Sequence, residues 1–224
     1  MPIHLNNKRY YTPCLNMFVP CTAYINSTMF DIVTEFENRI ATFFGAPYAV
    51  STDCCTHAVE LCLRYNKSNN ISIPTHTYLS IPMTATKLNL NWNWNNEPWA
   101  DYYYLDSTVV DAAVLWKRNS YIPNTLMCVS FQFNKHLSLG RGGVILLDDK
   151  QAYVDLIKLG YDGRERGISW PEQDVKINGF HYYMTPETAQ LGIDKLDHAI
   201  NTTPKYWTWK DYPNLKDMSV FNRQ

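Results

Sequence analysis

The segment that decides the fold covers residues 127–149 and reads MCVSFQFNKHLSLGRGGVILLDD. Two short apolar runs, 126–129 and 144–147, are predicted to be buried strands, and Lys135 and a glycine-rich turn lie between them. A lysine in such a connection has two interpretations. It can be a surface residue of a hairpin, or its amine can bond covalently to a carbonyl compound.

The spacing around this lysine is specific. It follows the pattern Ser-Phe-x-x-x-Lys-x-Leu-x-x-Gly-x-Gly-Gly, which is formed here by Ser130, Phe131, Lys135, Leu137, Gly140, Gly142 and Gly143. The pattern closely resembles the pyridoxal-phosphate lysine segment of the DegT/DnrJ/EryC1/StrS family, the sugar-nucleotide aminotransferases. The family usually has an acidic residue before the last glycine pair, where this chain has Arg141. The resemblance implies that Lys135 is catalytic and binds pyridoxal 5'-phosphate covalently, and that Ser130 helps to hold the cofactor phosphate.

Length and composition limit the other classes of function. The 224 residues are 46% hydrophobic, enough for a sizeable core, and the formal net charge of −1 suggests neither a nucleic-acid nor an anionic-membrane partner. No apolar run approaches the roughly 20 residues of a membrane span, and the N-terminus has no apolar signal region. The six cysteines include no C-x-x-C pair, so we predict no metal site and reduced thiols in a cytoplasmic protein.

A phosphate site is predicted where a strand of residues 48–51 leads into a helix of residues 56–65. The amides and positive dipole of a helix N-terminus attract anions, although Asp53 or Thr56 could equally cap the helix in the ordinary way. In the family this junction commonly reads Ser-Gly-Thr-x-Ala-Leu, and its threonine and the next backbone amide hold the cofactor phosphate. Thr56 and His57 occupy those positions, and Cys55 replaces the glycine.

Later segments imply two further cofactor contacts. Tyr78 follows Thr77 at the start of a predicted helix, where the family has Thr-Phe and the aromatic ring stacks on the pyridine ring. A tyrosine there can equally be ordinary packing. Asp111 ends a buried-type strand, a place where α/β folds carry chemistry, although it could instead begin a turn. The family's aspartate at this position pairs with the protonated pyridine nitrogen, and Val114 replaces a glutamine that often contacts the cofactor.

Three regions are predicted along the chain. Residues 1–28 form an irregular arm, residues 29–200 form the cofactor-binding α/β domain, and residues 201–224 form an aromatic tail to which we assign no chemistry.

Residues 179–184, GFHYYM, resemble the family's Gly-Tyr-Asn-Tyr-Arg-Met, whose asparagine reaches the neighbour's phosphate across a dimer. His181 stands in the place of that asparagine, although a lone histidine is usually structural.

The resemblance covers residues 30–200 and implies the fold. Between residues 90 and 105 the chain departs from the family, which carries an additional helix and strand there, so we expect a sheet reduced by one βα unit. Family members also continue into a smaller C-terminal domain. We therefore expect an α/β protein with the type I pyridoxal-phosphate transferase fold. Its sheet would be mostly parallel with helices on both faces, and the small C-terminal domain would be lacking.

The function implied by the resemblance is amino transfer to a nucleotide-linked ketosugar from an amino-acid donor, with glutamate as the first candidate. The assembly implied is a homodimer. The catalytic residues would be Lys135 and Asp111, and the other cofactor-binding residues would be Thr56, His57, Tyr78, Ser130 and His181. Two alternatives stay open. The chain could bind the cofactor in a regulatory role without turnover, or it could be one subunit of an aminotransferase split between two chains.

Overall fold

The computed structural model describes residues 30–221, in which helices and strands alternate along much of the chain. The helices are α1 (Asp31–Phe44), α2 (Cys55–Tyr65), α3 (Ser80–Lys87), α4 (Lys150–Gly160) and α5 (Pro186–Ile200). The strands are β1 (Tyr48–Thr52), β2 (Asn70–Pro74), β3 (Asn91–Asn95), β4 (Tyr103–Tyr104), β5 (Val109–Asp111), β6 (Leu126–Ser130) and β7 (Gly143–Leu147). The predicted arm of residues 1–28 lies outside the described residues. Within the described range, no helix is long and apolar enough to cross a membrane.

The central sheet has the strand order β1-β7-β6-β5-β4. The β5–β6 pair is parallel, whereas β7 is antiparallel to both β1 and β6, and β4 is antiparallel to β5. The strands β2 and β3 form a separate parallel pair, which joins the central sheet through a 2.8 Å hydrogen bond from Ser72 N–H to Leu105 O. The expected mostly parallel sheet is therefore corrected to a mixed one. The connection from β6 to β7 carries no crossover helix, so the chain reverses direction there.

Apolar side chains cover both faces of this sheet. In β7, Val144 and Leu146 belong to a core that includes side chains of α1 and α5, while Ile145 and Leu147 belong to a second core with α2 and α4. Alternate residues of a strand point to opposite faces, and all four are at most 1% exposed. The continuous apolar run thus reflects a strand that is buried on both sides. The prediction of an α/β fold with helices on both faces is confirmed.

The segment between β3 and β5 is short, as expected. It contains the two-residue strand β4, and no helix lies between residues 95 and 109. Strand β4 pairs with β5 in a register that sets Tyr103 directly opposite Asp111. The shortened connection therefore places a tyrosine beside the predicted catalytic aspartate.

The described part of the tail packs against the rest of the chain. Leu215 is 1% exposed, and its N–H donates to Thr75 O at 2.8 Å. Trp209 N–H donates to Trp99 O at 3.1 Å. These backbone contacts hold the residues between them, including Tyr212, against the segments that follow β2 and β3.

Candidate active site

A cavity of about 230 Å³ lies at the carboxyl ends of β5 and β6. Five of the seven predicted site residues line it: Thr56, Tyr78, Asp111, Ser130 and Lys135. The two predicted histidines, His57 and His181, do not. The cavity is at the position where α/β folds commonly bind ligands.

The helix α2 begins at this cavity. Its N-cap residue is Cys54, and no described side chain caps it, so the capping interpretations of Asp53 and Thr56 are wrong. The first amides of the helix therefore remain available to an anion. Thr56 Oγ1 donates to Ser80 Oγ at 2.9 Å, which places two hydroxyl groups next to these amides.

Gly143 allows β7 to approach the start of α2 closely. A Cβ atom at Gly143 would lie 2.5 Å from the backbone nitrogen of Cys55, a distance that no side chain can adopt without a shift of the backbone. The last glycine of the motif therefore has a packing role. It holds the N-terminus of α2 against the strand that follows the Lys135 loop.

The His57 ring points to neighbours outside the cavity. Its Nδ1 lies 2.6 Å from Asp53 Oδ1, and the ring stacks on Tyr182 with a centroid distance of 3.6 Å. Burial alone would lower the pKa of His57, but hydrogen bonds to Asp53 and Cys54 outweigh it and raise the pKa to about 9. The predicted phosphate contact of His57 is through its backbone amide, which lies in the first turn of α2.

A group of possible metal ligands surrounds this histidine. Asp53, Cys54 and His57 each offer one ligand atom, and these atoms lie within 4.8 Å of one another. However, Arg141 Nη2 donates to Asp53 Oδ2 at 2.8 Å. The guanidinium and a protonated His57 put positive charge at the same point, which opposes a cation. The charges of this group, which adjoins the cavity through Cys54 and Arg141, therefore favour an anion over a metal ion.

Lys135 lies in the connection between the antiparallel strands β6 and β7, and its side chain lines the cavity. The Nζ atom lies 3.5 Å from Tyr212 Oη and 5.1 Å from the centre of the Trp207 ring. Burial lowers the pKa of Lys135, and the nearby negative charge of Asp111 works against that shift. Burial thus increases the neutral share of the amine, which is the nucleophilic form.

Asp111 is 5% exposed and has a partner for each carboxylate oxygen. Oδ1 accepts from Ala113 N–H at 3.0 Å, and Oδ2 accepts from the Tyr103 hydroxyl. Burial raises the pKa of Asp111, whereas both hydrogen bonds and the charge of Lys135 lower it. Asp111 thus begins a turn and also lines the cavity, while its catalytic role stays a prediction.

Sequence reasoning missed three aromatic residues of the cavity wall: Trp99, Tyr103 and Tyr212. Tyr103 lies between the exposed Tyr102 and Tyr104, but all three residues are tyrosine, so the sequence does not indicate which of them faces inward. No sequence signal points to Tyr212. The tail, to which the sequence assigned no chemistry, therefore contributes Tyr212 to the cavity wall, where it contacts Lys135.

His181 lies outside the cavity with an exposed ring. Its Nδ1 is 3.0 Å from Asp162 Oδ2, and the ring packs edge-on against Tyr183 at 4.7 Å. The predicted contact of His181 is with a second chain, so it stays a prediction.

The fold and the cavity together define a class of protein. A lysine in the loop before β7, an aspartate at the end of β5 and an uncapped helix N-terminus meet in one cavity of an α/β fold, which is the arrangement of the type I pyridoxal-phosphate fold. The sequence profile of the DegT/DnrJ/EryC1/StrS aminotransferase family matches residues 21–123 and 123–205. The chain belongs to this family.

Solved structures agree on the fold. AtS13 from Actinomadura melliaura is 18% identical with a TM-score of 0.66, over 75% of this chain and 60% of that one. The sugar aminotransferase CalS13 from Micromonospora echinospora is 16% identical with a TM-score of 0.63, over 75% and 61%. Spr1654 from Streptococcus pneumoniae, in its PLP form, is 18% identical with a TM-score of 0.63, over 77% and 60%. This chain thus spans about 60% of the length of these proteins. No protein of curated function matches the sequence significantly.

The cofactor of the family is pyridoxal phosphate, and the residues of the cavity fit it. The uncapped start of α2 suits a phosphate, and the buried carboxylate of Asp111 suits a protonated ring nitrogen. The Lys135 amine lies in the same cavity and suits an aldehyde.

Proposed function

We propose that this protein is a pyridoxal-phosphate-dependent aminotransferase that moves an amino group from an amino acid to a nucleotide-linked ketosugar. The proposal is carried by one observation, that the Lys135 amine and the Asp111 carboxylate line a single cavity beside the N-terminus of α2. Family membership and the likeness to the sugar aminotransferase CalS13 support a sugar acceptor. Nucleotide linkage and glutamate as donor rest on the family resemblance.

When bound, pyridoxal phosphate would supply an electron sink for the substrate carbon that bears the nitrogen. Lys135 would hold the cofactor through its amine until the substrate amine takes its place. The freed Nζ would then carry a proton between that substrate carbon and the C4′ carbon of the cofactor. The lowered pKa of Lys135 supports both roles, because a neutral amine is required to bond and to accept a proton.

Other residues would orient the cofactor. Asp111 would keep a proton on the pyridine nitrogen, because a close negative charge favours the cationic ring. Thr56, Ser130 and the first amides of α2, including that of His57, would bind the phosphate. Tyr78 lies in the cavity wall and is 53% exposed, so its ring is available to cover the pyridine ring.

An amine-exchange assay tests this function. The protein is loaded with pyridoxal phosphate, separated from free cofactor and incubated with glutamate or with other single amino acids. We expect one donor to yield its keto acid in stoichiometric amount, measured by mass spectrometry. Cofactor binding without keto acid from any donor would contradict turnover and favour the regulatory alternative. Keto acid formed only after a second chain is added would favour the split enzyme.

We also propose a homodimer in which His181 completes the cofactor site of the neighbouring subunit. The 70% exposure of the His181 side chain supports this role, because the ring is accessible to a second chain. Lys135→Ala and His181→Ala would then damage different halves of each shared site. After subunit exchange between the two inactive variants, half of the dimers are mixed and each has one intact site. We expect about a quarter of the wild-type activity to return.

The control for this experiment is each variant alone, taken through the same exchange conditions. Native mass spectrometry shows whether mixed dimers form. Mixed dimers without recovered activity would remove His181 from the neighbour's site.

A cytoplasmic location is the last part of the proposal. It is supported by the free thiols of the described residues, Cys54, Cys55, Cys62 and Cys128, because reduced cysteines are typical of the cytoplasm. Thiol titration of denatured protein, prepared with thiols blocked at lysis, should count six. A lower count that rises after reduction would contradict this location.

A further inference from the structure

Tyr103 connects the catalytic aspartate to a second hydroxyl group. It lies directly opposite Asp111 in the β4–β5 pair, and its hydroxyl is hydrogen-bonded both to Asp111 Oδ2 and to Thr77 Oγ1. A phenol has one proton to donate. Because Tyr103 donates this proton to Asp111, the Thr77 hydroxyl must donate to the Tyr103 oxygen. The two hydrogen bonds therefore run from Thr77 through Tyr103 to Asp111.

The groups around Asp111 show why these two hydrogen bonds matter for the charge of its carboxylate. The titratable groups that face it are Tyr103, Cys55, Cys128, Tyr212 and Lys135. Burial raises the pKa of both thiols and both phenols, so these four groups are neutral near pH 7. Apart from the positive charge of Lys135, the Asp111 carboxylate is therefore stabilised by two neutral hydrogen-bond donors, the Tyr103 hydroxyl and Ala113 N–H.

We propose that Tyr103, supported by Thr77, is a positioning residue that holds the Asp111 carboxylate ionised and in place for the pyridine nitrogen of the cofactor. This inference rests on the proposed function. The bond from Ala113 N–H secures the other oxygen, and together the two bonds leave the carboxylate little freedom to rotate. Tyr103 belongs to the segment of residues 90–105 that departs from the family pattern. The shortened connection thus contributes a residue to the site.

The test is the pH dependence of pyridoxal phosphate binding in wild-type protein and in Tyr103→Phe. Hydrogen bonding from Tyr103 lowers the pKa of Asp111, so its removal raises the pH at which the carboxylate becomes ionised. Neutral Asp111 cannot pair with the charged ring, so the affinity for the cofactor falls on the acid side. We expect the acid midpoint of binding, measured by tryptophan fluorescence, to move up by about one pH unit. Thr77→Val should move it in the same direction by less.

A matched control separates this role from general packing. Tyr121 is a partly buried tyrosine outside the cavity, and its hydroxyl donates to Thr125 O at 3.0 Å. Tyr121→Phe should leave the midpoint unchanged. If Tyr103 only stabilised the fold, Tyr103→Phe would weaken cofactor binding equally at every pH. That outcome, or pH profiles of wild type and variant that superimpose, would overturn this inference and leave the proposed function standing. Failure of the wild-type protein to bind pyridoxal phosphate at any pH would overturn the proposed function as well.

Discussion

Replacing Lys135 with alanine is expected to lower amine exchange by about a thousandfold or more and to abolish the visible absorbance of bound pyridoxal phosphate. The reason is that one amine both bonds to the cofactor and carries the proton. Among the described residues, Lys135 is the lysine that lines the cavity, whereas the nearby Lys205 contacts Trp207 and Asp211 and does not line it. Turnover and absorbance spectra of the purified variant check both effects.

Two companion variants sharpen this result. Lys135→Arg keeps a positive charge near Asp111 but stays protonated and cannot bond to an aldehyde, so it should be as inactive as Lys135→Ala. Lys158→Ala removes a lysine whose partner is Glu165, 2.6 Å away and outside the cavity, and should behave like wild type. Substantial turnover in Lys135→Arg would contradict the nucleophilic role of Lys135.

Replacing Asp111 with asparagine is expected to weaken cofactor binding without abolishing it, so that saturating cofactor still fills the site, and to lower turnover by about 10²–10³-fold. Asparagine keeps the shape, and its single amide oxygen can still accept one of the two hydrogen bonds, from Ala113 N–H or from the Tyr103 hydroxyl. It lacks the negative charge that keeps the pyridine nitrogen protonated, and a neutral ring accepts electrons poorly. The measurement is the single-turnover rate of keto acid formation with saturating cofactor.

Glu60→Gln is the matched control for this variant. Glu60 is also a buried carboxylate, 1% exposed, but its partners are Arg64 and Lys87 and it does not line the cavity. Loss of this charge should lower thermal stability, since an ion pair with a buried member is broken, and leave the rate per folded chain unchanged. Equal rates for Asp111→Asn and wild type would remove Asp111 from the mechanism.

Backbone requirements explain why the lysine segment could be predicted from sequence. The spacing of Lys135 and Gly143 reflects a close approach of β7 to α2, which only glycine permits. Asp111 and Ser130 each end a buried strand, and the ends of adjacent parallel strands lie side by side. The family resemblance identified the five predicted residues that line the cavity, and these backbone requirements explain why their spacing marks the site.

Other features depend on contacts between distant segments, and local patterns do not encode them. An apolar run such as β7 predicts a buried strand but not its direction, so the mixed sheet was missed. The contact between Tyr103 and Asp111 depends on the register of β4 against β5. Tyr212 reaches Lys135 because Leu215 bonds to the backbone of Thr75, a contact that no periodicity in the tail indicates.

Borohydride reduction followed by peptide mapping tests the central claim most directly. The protein is loaded with pyridoxal phosphate, reduced and digested, and the peptide that carries the cofactor mass is sequenced by tandem mass spectrometry. The claim that Lys135 binds the cofactor covalently predicts that the modification lies on Lys135 and is missing from Lys135→Ala. A modification that lies on another lysine, or a protein that carries none after reduction, would contradict it.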